Sequence, residues 1–370
     1  MKTAKRLLPL LLFILALTGL GCSHMDKTNV EKAITDELDL LKNLDSETAQ
    51  KYVSYKELFP DSSADTELSD EIQEVFSLFF QNFDYKILEI DVDNETATAS
   101  IRLTTIDALP LARDYAQACL KKEILAAAAV PDEEQTETTV TDRYLILNKL
   151  LKENDYSTKD NDCTVQLKET KSDKEVWEII RTHSLENDLV GGLITYLSVS
   201  DLLSPEDTLT VYLDTLKTMN TDEMSNYLGV DRTLNASDPV KRSIAAALAE
   251  QVHTNFDYKI TSSEESGYTA SIETQITTFD SDAILEAYKE DLDTYLASPD
   301  AVIDGSQKRY QKSYELLLKY IQENTAVKTT SATFSLVNDG VSWKLEDSSH
   351  SLGNAIFGTL STSPVEETEE

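Results

Sequence analysis

The feature that most constrains this chain is that its folded part is written twice. Asn82-Phe83-Asp84-Tyr85-Lys86-Ile87 recurs letter for letter as Asn255-Phe256-Asp257-Tyr258-Lys259-Ile260. The match runs without a gap to Thr104-Thr105-Ile106-Asp107 against Thr277-Thr278-Phe279-Asp280. Upstream, Leu41-Lys42 and Tyr52 answer Leu216-Lys217 and Tyr227. Downstream, Trp177 answers Trp343, and His183-Ser184-Leu185-Glu186-Asn187 answers His350-Ser351-Leu352-Gly353-Asn354. The order is kept while the spacing drifts, the mark of a duplicated domain whose loops changed length, so any fold must serve twice.

Each element expected from one copy can therefore be checked on the other. Ile34, Leu38, Leu41 and Leu44, with Leu209, Leu213, Leu216 and Met219, follow the three-and-four spacing of an amphipathic helix. Asn29 and Ser204 are its expected N-caps, and Pro205 suits the first helical position. A short second helix holds Tyr52 and Tyr227, and a third covers about Asp70 to Phe80 and Pro239 to Val252. A hairpin follows, in which Ala97, Ala99, Ile101 and Leu103 alternate with polar residues, as do Ala270, Ile272, Thr274 and Ile276. Two further helices begin near Leu111 and Asp142, or Ile284 and Gln307, with Pro131-Asp132 and Pro299-Asp300 as the loops between them. A second hairpin carries Trp177 or Trp343, Asn338-Asp339-Gly340 being a strong turn, and a short apolar helix closes each copy. The economical fold is α+β: two tandem homologous domains, residues 29–200 and 201–360, each a four-stranded antiparallel sheet of two hairpins packed against helices. Residues 361–370 read as an acidic tail for which disorder is the expectation.

The first residues read as an address. Lys2, Lys5 and Arg6 precede the apolar run Leu7 to Leu17, a signal peptide over residues 1–21 that is too short to span a bilayer as a helix. Thr18-Gly19-Leu20-Gly21-Cys22 resembles the lipobox of bacterial lipoproteins, with Gly19 where a Leu is usual. That resemblance implies lipidation of Cys22 by acyl chains such as palmitate, residues 22–28 as tether, and a place on the extracytoplasmic face of the cell membrane. Charge is the compositional outlier: 33 Lys and Arg against 67 Asp and Glu give a net of −34. Such a surface repels phosphate backbones and anionic headgroups, which excludes nucleic acid as an expected partner and leaves the lipid anchor as the membrane link.

Candidate chemistry is sparse. His183 and Asn187, with His350 and Asn354, could serve a ligand, a partner or proton transfer. They better suit a strand-to-helix junction, where His, Ser and Asn satisfy backbone groups. Asp84-Tyr85 and Asp257-Tyr258 resemble an acid/base pair, but neighbours in a strand point to opposite faces. Cys119 and Cys163 align with Leu292 and Ala332, favouring buried small hydrophobes, with a disulfide between them as the alternative. Asp91, Asp93 and Glu95, and Asp160-Asn161-Asp162, resemble fragments of calcium loops but sit where turns favour Asp and Asn. No converging metal-ligand set, nucleophile elbow or cofactor fingerprint is present, so no metal, no cofactor and no catalytic residue are expected.

The Tyr212-Leu213-Asp214-Thr215-Leu216 helix, the Phe-Asp-Tyr-Lys-Ile strand, the Thr-Thr-Ile/Phe-Asp strand end and the late Trp, beside the lipobox, resemble lipoproteins of unknown function from Gram-positive bacteria. Those proteins carry tandem domains of the nuclear-transport-factor-two-like or cystatin-like cone. The resemblance implies a fold and an envelope location but hands over no active site. The functional expectation is a non-catalytic cell-envelope lipoprotein whose duplicated domains bind a small ligand, peptide or envelope partner. The alternative is a structural or sensory docking protein of a membrane or wall complex with no pocket. An isomerase or hydrolase ranks third.

Overall fold

The structure, a computed structural model, describes residues 26–53, 58–59, 70–129, 139–171, 175–230, 234, 238–346 and 348–360. The signal peptide, Cys22, Pro131-Asp132 and the acidic tail lie outside the described residues. Each copy folds as an antiparallel sheet in simple sequential order, β1-β2-β3-β4 and β5-β6-β7-β8, with helices against one face. The α+β class with two tandem sheet-plus-helix halves is therefore that of the protein.

In the first copy a helix over residues 26–42 (α1) buries Val30, Ile34, Leu38 and Leu41. Asn29 lies inside α1 and is not its N-cap, and residues 26–28, assigned above to the tether, are already helical. Leu44 is not on the buried stripe: it takes a left-handed φ of 62° and is 40% exposed. There it ends the helix in a Schellman turn, with Asp45 N donating to Leu40 O and Leu44 N to Leu41 O. Helices α2 (Ser46–Tyr52) and α3 (Asp70–Phe79) lead to β1 (Asp84–Asp93) and β2 (Thr96–Ile106). Ala97, Ala99, Ile101 and Leu103 of β2 are buried, as the period-two alternation requires. The opposite face is wet, and there Arg102 grips Asp162 through two hydrogen bonds of 2.7 and 2.9 Å. Helices α4 (Ala108–Ala129) and α5 (Val140–Glu153) form the crossover to β3 (Thr158–Lys171), which pairs with β4 (Glu175–Ile180). Helices α6 (His183–Leu189) and α7 (Leu193–Leu197) close the copy.

The second copy repeats this plan. Helix α8 (Pro205–Thr218) has Ser204 as N-cap in a full capping box with Asp207, and Pro205 at its start. Then come α9 (Thr221–Tyr227), α10 (Pro239–Asn255), β5 (Asp257–Ser266) and β6 (Thr269–Phe279). Helices α11 (Ser281–Leu296) and α12 (Pro299–Glu323) precede β7 (Val327–Asn338), β8 (Trp343–Leu345), α13 (Ser348–Phe357) and the 3-10 turn Gly358–Leu360. Pro299-Asp300, expected as a loop, instead opens α12, where Pro costs no hydrogen bond; the break falls at Gly305, with φ 71° and ψ 179°. A bulge interrupts the first hairpin of each copy at the same place, between Ile87 and Glu89 and between Ile260 and Ser262.

By contacts the described residues group into two compact units, 26–115 with 139–198, and 116–129 with 199–360. The division is not contiguous in sequence. Helix α4, at 22 residues, is six longer than the 16 of its counterpart α11, and the second unit's core takes in Ile124 and Ala128.

Candidate functional site

The repeated motifs prove to be junctions. In each copy the strand before the crossover ends in the Thr-Thr-Ile/Phe-Asp segment. Its Asp280 caps α11 by accepting from Asp282 N and Ala283 N. The strand that pairs with it begins alongside, so that Thr105 faces Lys159 and Thr278 faces Lys328. The closing helix then returns to this corner and ends in a left-handed glycine, Gly191 (φ 66°) or Gly358 (φ 51°). The two copies differ at this corner.

In the second unit the corner is a cleft of about 310 Å³ whose walls include Phe279, Asp282, Lys328, Thr330, Asn354 and Thr359. Lys328 Nζ donates to Asp282 Oδ2 at 2.6 Å, and Thr359 Oγ1 donates to the other oxygen at 2.9 Å. The hydrogen bond from Lys328, then that from Thr359, holds the Asp282 carboxyl below the usual carboxylate range. The floor is apolar, with Phe279 and Ile356 almost wholly buried. Thr278 Oγ1 is buried without a hydrogen-bond partner, but so is its counterpart Thr105 Oγ1. A shared orphan belongs to the duplicated scaffold and does not point to a ligand.

In the first unit the chain itself runs across the corner. After Gly191 and Gly192 the backbone continues into α7, whose Tyr196 lies over Lys159: Nζ is 5.5 Å from the ring centroid and 3.3 Å from the hydroxyl. Gly192 lies against the same ring, so that a Cβ there would come within 3.2 Å of it. Burial pulls the Lys159 ammonium down, but its bonds to Tyr196 and Asp107 outweigh this and leave its pKa raised. A smaller cleft in this unit, lined by Phe79, Asn82, Asn154 and Tyr156 among others, measures about 40 Å³.

The residues singled out from the sequence fall on these closing helices. His183 is exposed at the start of α6, whose cap is Thr182. Asn187 is a cap at a distance: its Oδ1 accepts from Thr195 N at 2.9 Å, in the first turn of α7, because the N-cap Gly192 has no side chain to do so. His350 lies on α13, and Asn354 on the same helix lines the cleft.

The Asp-Tyr pairs diverge in chemistry but not in target. Asp84 accepts from Lys42 at 2.6 Å and Tyr85 donates to Asp39 at 2.8 Å, both on α1 or at its end. Asp257 with Lys217 (2.8 Å) and Tyr258 with Asp214 (2.8 Å) repeat the clasp on α8. Burial, then the bond to Asp39, pushes the Tyr85 phenol up to about 12. Cys119 and Cys163 are thiols, and burial, then Asp188 and Asp162, pushes Cys163 up to about 12. Asp160, Asn161 and Asp162 lie within β3 and not at a turn. They bond to Thr104, Asp188 and Arg102, and among the described residues no three His, Cys, Asp or Glu side chains could hold a metal. Sequence reasoning missed Lys159, Lys328 and Tyr196. The signal was present, because strand pairing places each Lys opposite the second Thr of the repeated Thr-Thr, but it needs the sheet register to be read.

No family model and no curated protein matches the sequence. Among solved structures, that of "a putative lipoprotein (ycdA)" from Bacillus subtilis is similar at 10% identity and a TM-score of 0.29, over 74% of this chain and 96% of that one. A likeness of that size carries no argument about function. Among the described residues no helix is long and apolar enough to cross a membrane.

Proposed function

We propose that the chain is a non-catalytic lipoprotein of the extracytoplasmic membrane face, anchored through Cys22, whose second domain binds a small ligand or peptide and whose first is a closed scaffold. The anchor rests on the leader and the lipobox-like Cys22. The binding role rests on one observation: the same duplicated corner is an approximately 310 Å³ cleft in one copy and is packed by Tyr196 in the other. That volume stands at the lower end of ligand sites, about 300–1,000 Å³, and an apolar floor with a few polar groups is their usual lining. The docking alternative draws support from the first unit, whose corner its own aromatic ring fills.

The test is a ligand-observed NMR screen of fragments and short peptides on the full lipidated chain in neutral nanodiscs, repeated on Thr359→Trp. Hits lost in Thr359→Trp support the reading; a screen without such hits refutes it. Fatty-acid labelling that persists in Cys22→Ala would refute the anchor.

A further inference from the structure

Resting on that reading of the cleft, we propose that its ligand class is a phenol, a tyrosine side chain or a free molecule of the same chemistry, because the first copy already places a tyrosine on the equivalent residues. The duplication supplies the template. Lys159 and Lys328 occupy the same register position, Asn187 and Asn354 the same place on the closing helix, and Gly191 and Gly358 the same left-handed turn. In the first unit those surroundings hold the Tyr196 ring, with Lys159 reaching its hydroxyl at 3.3 Å. In the second unit the chain cannot supply that ring from the corresponding stretch. At the spacing of the His-Ser-Leu repeat, Tyr196 answers Ser363, and residues 361–370 contain no aromatic residue.

What differs between the copies sharpens the choice of ligand. The counterpart of Asp282 in the first copy is Leu109, and Lys159 there pairs with Asp107 at 3.4 Å, so the carboxylate beside the lysine comes from a different position in each copy. A carboxylate or phosphate ligand would find Lys328 already neutralised and would face Asp282 across a short distance. A neutral hydroxyl suits the pair: it can donate to Asp282 while accepting from Lys328, with its ring against the apolar lining of the cleft. An aromatic ring without a hydroxyl would bury the same apolar surface and leave that pair without its extra bonds.

The experiment uses the full lipidated chain in neutral nanodiscs with N-acetyl-tyrosinamide, N-acetyl-phenylalaninamide and the peptide spanning residues 192–198. The tyrosine amide is expected to bind saturably, about tenfold or more tighter than the phenylalanine amide, as one hydrogen bond to a charged group implies. Asp282→Asn and Lys328→Met, both at exposed positions, should each bring that ratio towards one, and Thr359→Trp should abolish binding while leaving the Trp343 unfolding transition in place. Tighter binding of the peptide than of the amide assigns the phenol to a polypeptide, and equal binding assigns it to a small molecule. A ratio near one in the unmodified chain, or tyrosine-amide binding that survives Thr359→Trp, overturns the proposal. If other fragments show binding sensitive to Thr359→Trp while phenols do not, the ligand class is wrong and the cleft reading stands; if none does, both fall.

Discussion

Gly191→Ala should be among the most damaging single substitutions in the first unit, and the reason can be worked out from three glycines that share a left-handed backbone. At Gly267, in the turn between β5 and β6, φ is 65° and an added Cβ meets nothing within 4 Å. Alanine there suffers only the left-handed conformation, about 1–2 kcal/mol, partly offset by about 0.4–1 kcal/mol from a less free unfolded chain. At Gly358 the Cβ would lie 2.6 Å from Ser281 Oγ, a side chain that can rotate away by giving up its contact with Thr359. That adds about 1 kcal/mol. At Gly191 the Cβ would lie 2.0 Å from the backbone oxygen of Ile106, the last residue of β2. No rotamer relieves this. Either the strand end or the closing turn must move, and the turn carries the Gly192 N to Asn187 O bond and the Asn187 cap of α7. The expected cost exceeds about 4 kcal/mol, a large part of the roughly 5–15 kcal/mol that holds a domain folded. The protein offers its own reporters, since buried Trp177 lies in the first unit and buried Trp343 in the second. Urea titration in a Trp343→Phe background follows the first unit alone, and the converse background follows the second. The order Gly191, then Gly358, then Gly267 is the predicted ranking. A Gly191→Ala midpoint no lower than that caused by Gly267→Ala in its own unit would refute the close approach and the scheme by which Tyr196 is delivered to Lys159.

Ser204→Ala removes the hydroxyl half of the capping box on α8, leaving the backbone N–H of residue 204 to donate to Asp207, and should lower the second unit's stability by about 1 kcal/mol, read from Trp343, with the Trp177 transition unchanged. The Lys42 and Lys217 clasps hold the Asp84 and Asp257 carboxyls below their usual range, chiefly by hydrogen bonding. Their folded values are depressed, so their stabilisation is present above the unfolded carboxylate range near about 4 and is lost as pH falls through the folded values. The double variant Asp84→Asn, Asp257→Asn should therefore flatten the fall in melting temperature below pH 4; because these pairs are exposed the effect is small, and a steeper fall would contradict the assignment. Cys163, 7% exposed with its thiol pushed up to about 12, should resist iodoacetamide at pH 8 in the folded chain and react at once in urea, as mass spectrometry of the tryptic peptide would record.

Much of the fold was legible because duplication turned each weak local signal into two. β2 and β6, the N-cap at Ser204 and the turn at Gly340 all follow from alternation, caps and left-handed glycines. Local rules misplaced Leu44, since hydrophobic spacing cannot tell the last turn of a helix from the residue that ends it. They misplaced Pro299, since proline suits a loop and the first turn of a helix alike. They also could not place the bulges after Ile87 and Ile260, which depend on pairing between strands.

The sequence by itself determined the repeat, the α+β class and the one-sided sheets, because these rest on periodicities of two and 3.6 that a chain carries in its own order. Only tertiary structure decided that Asn187 is a cap for another helix, that the Asp-Tyr pairs clasp the opening helices, and that the units divide within α4. It alone set Tyr196 over Lys159 in one copy and opened a cleft at Lys328 in the other. Those relations join residues distant along the chain, and their energies depend on register, burial and close approach, which no local pattern encodes.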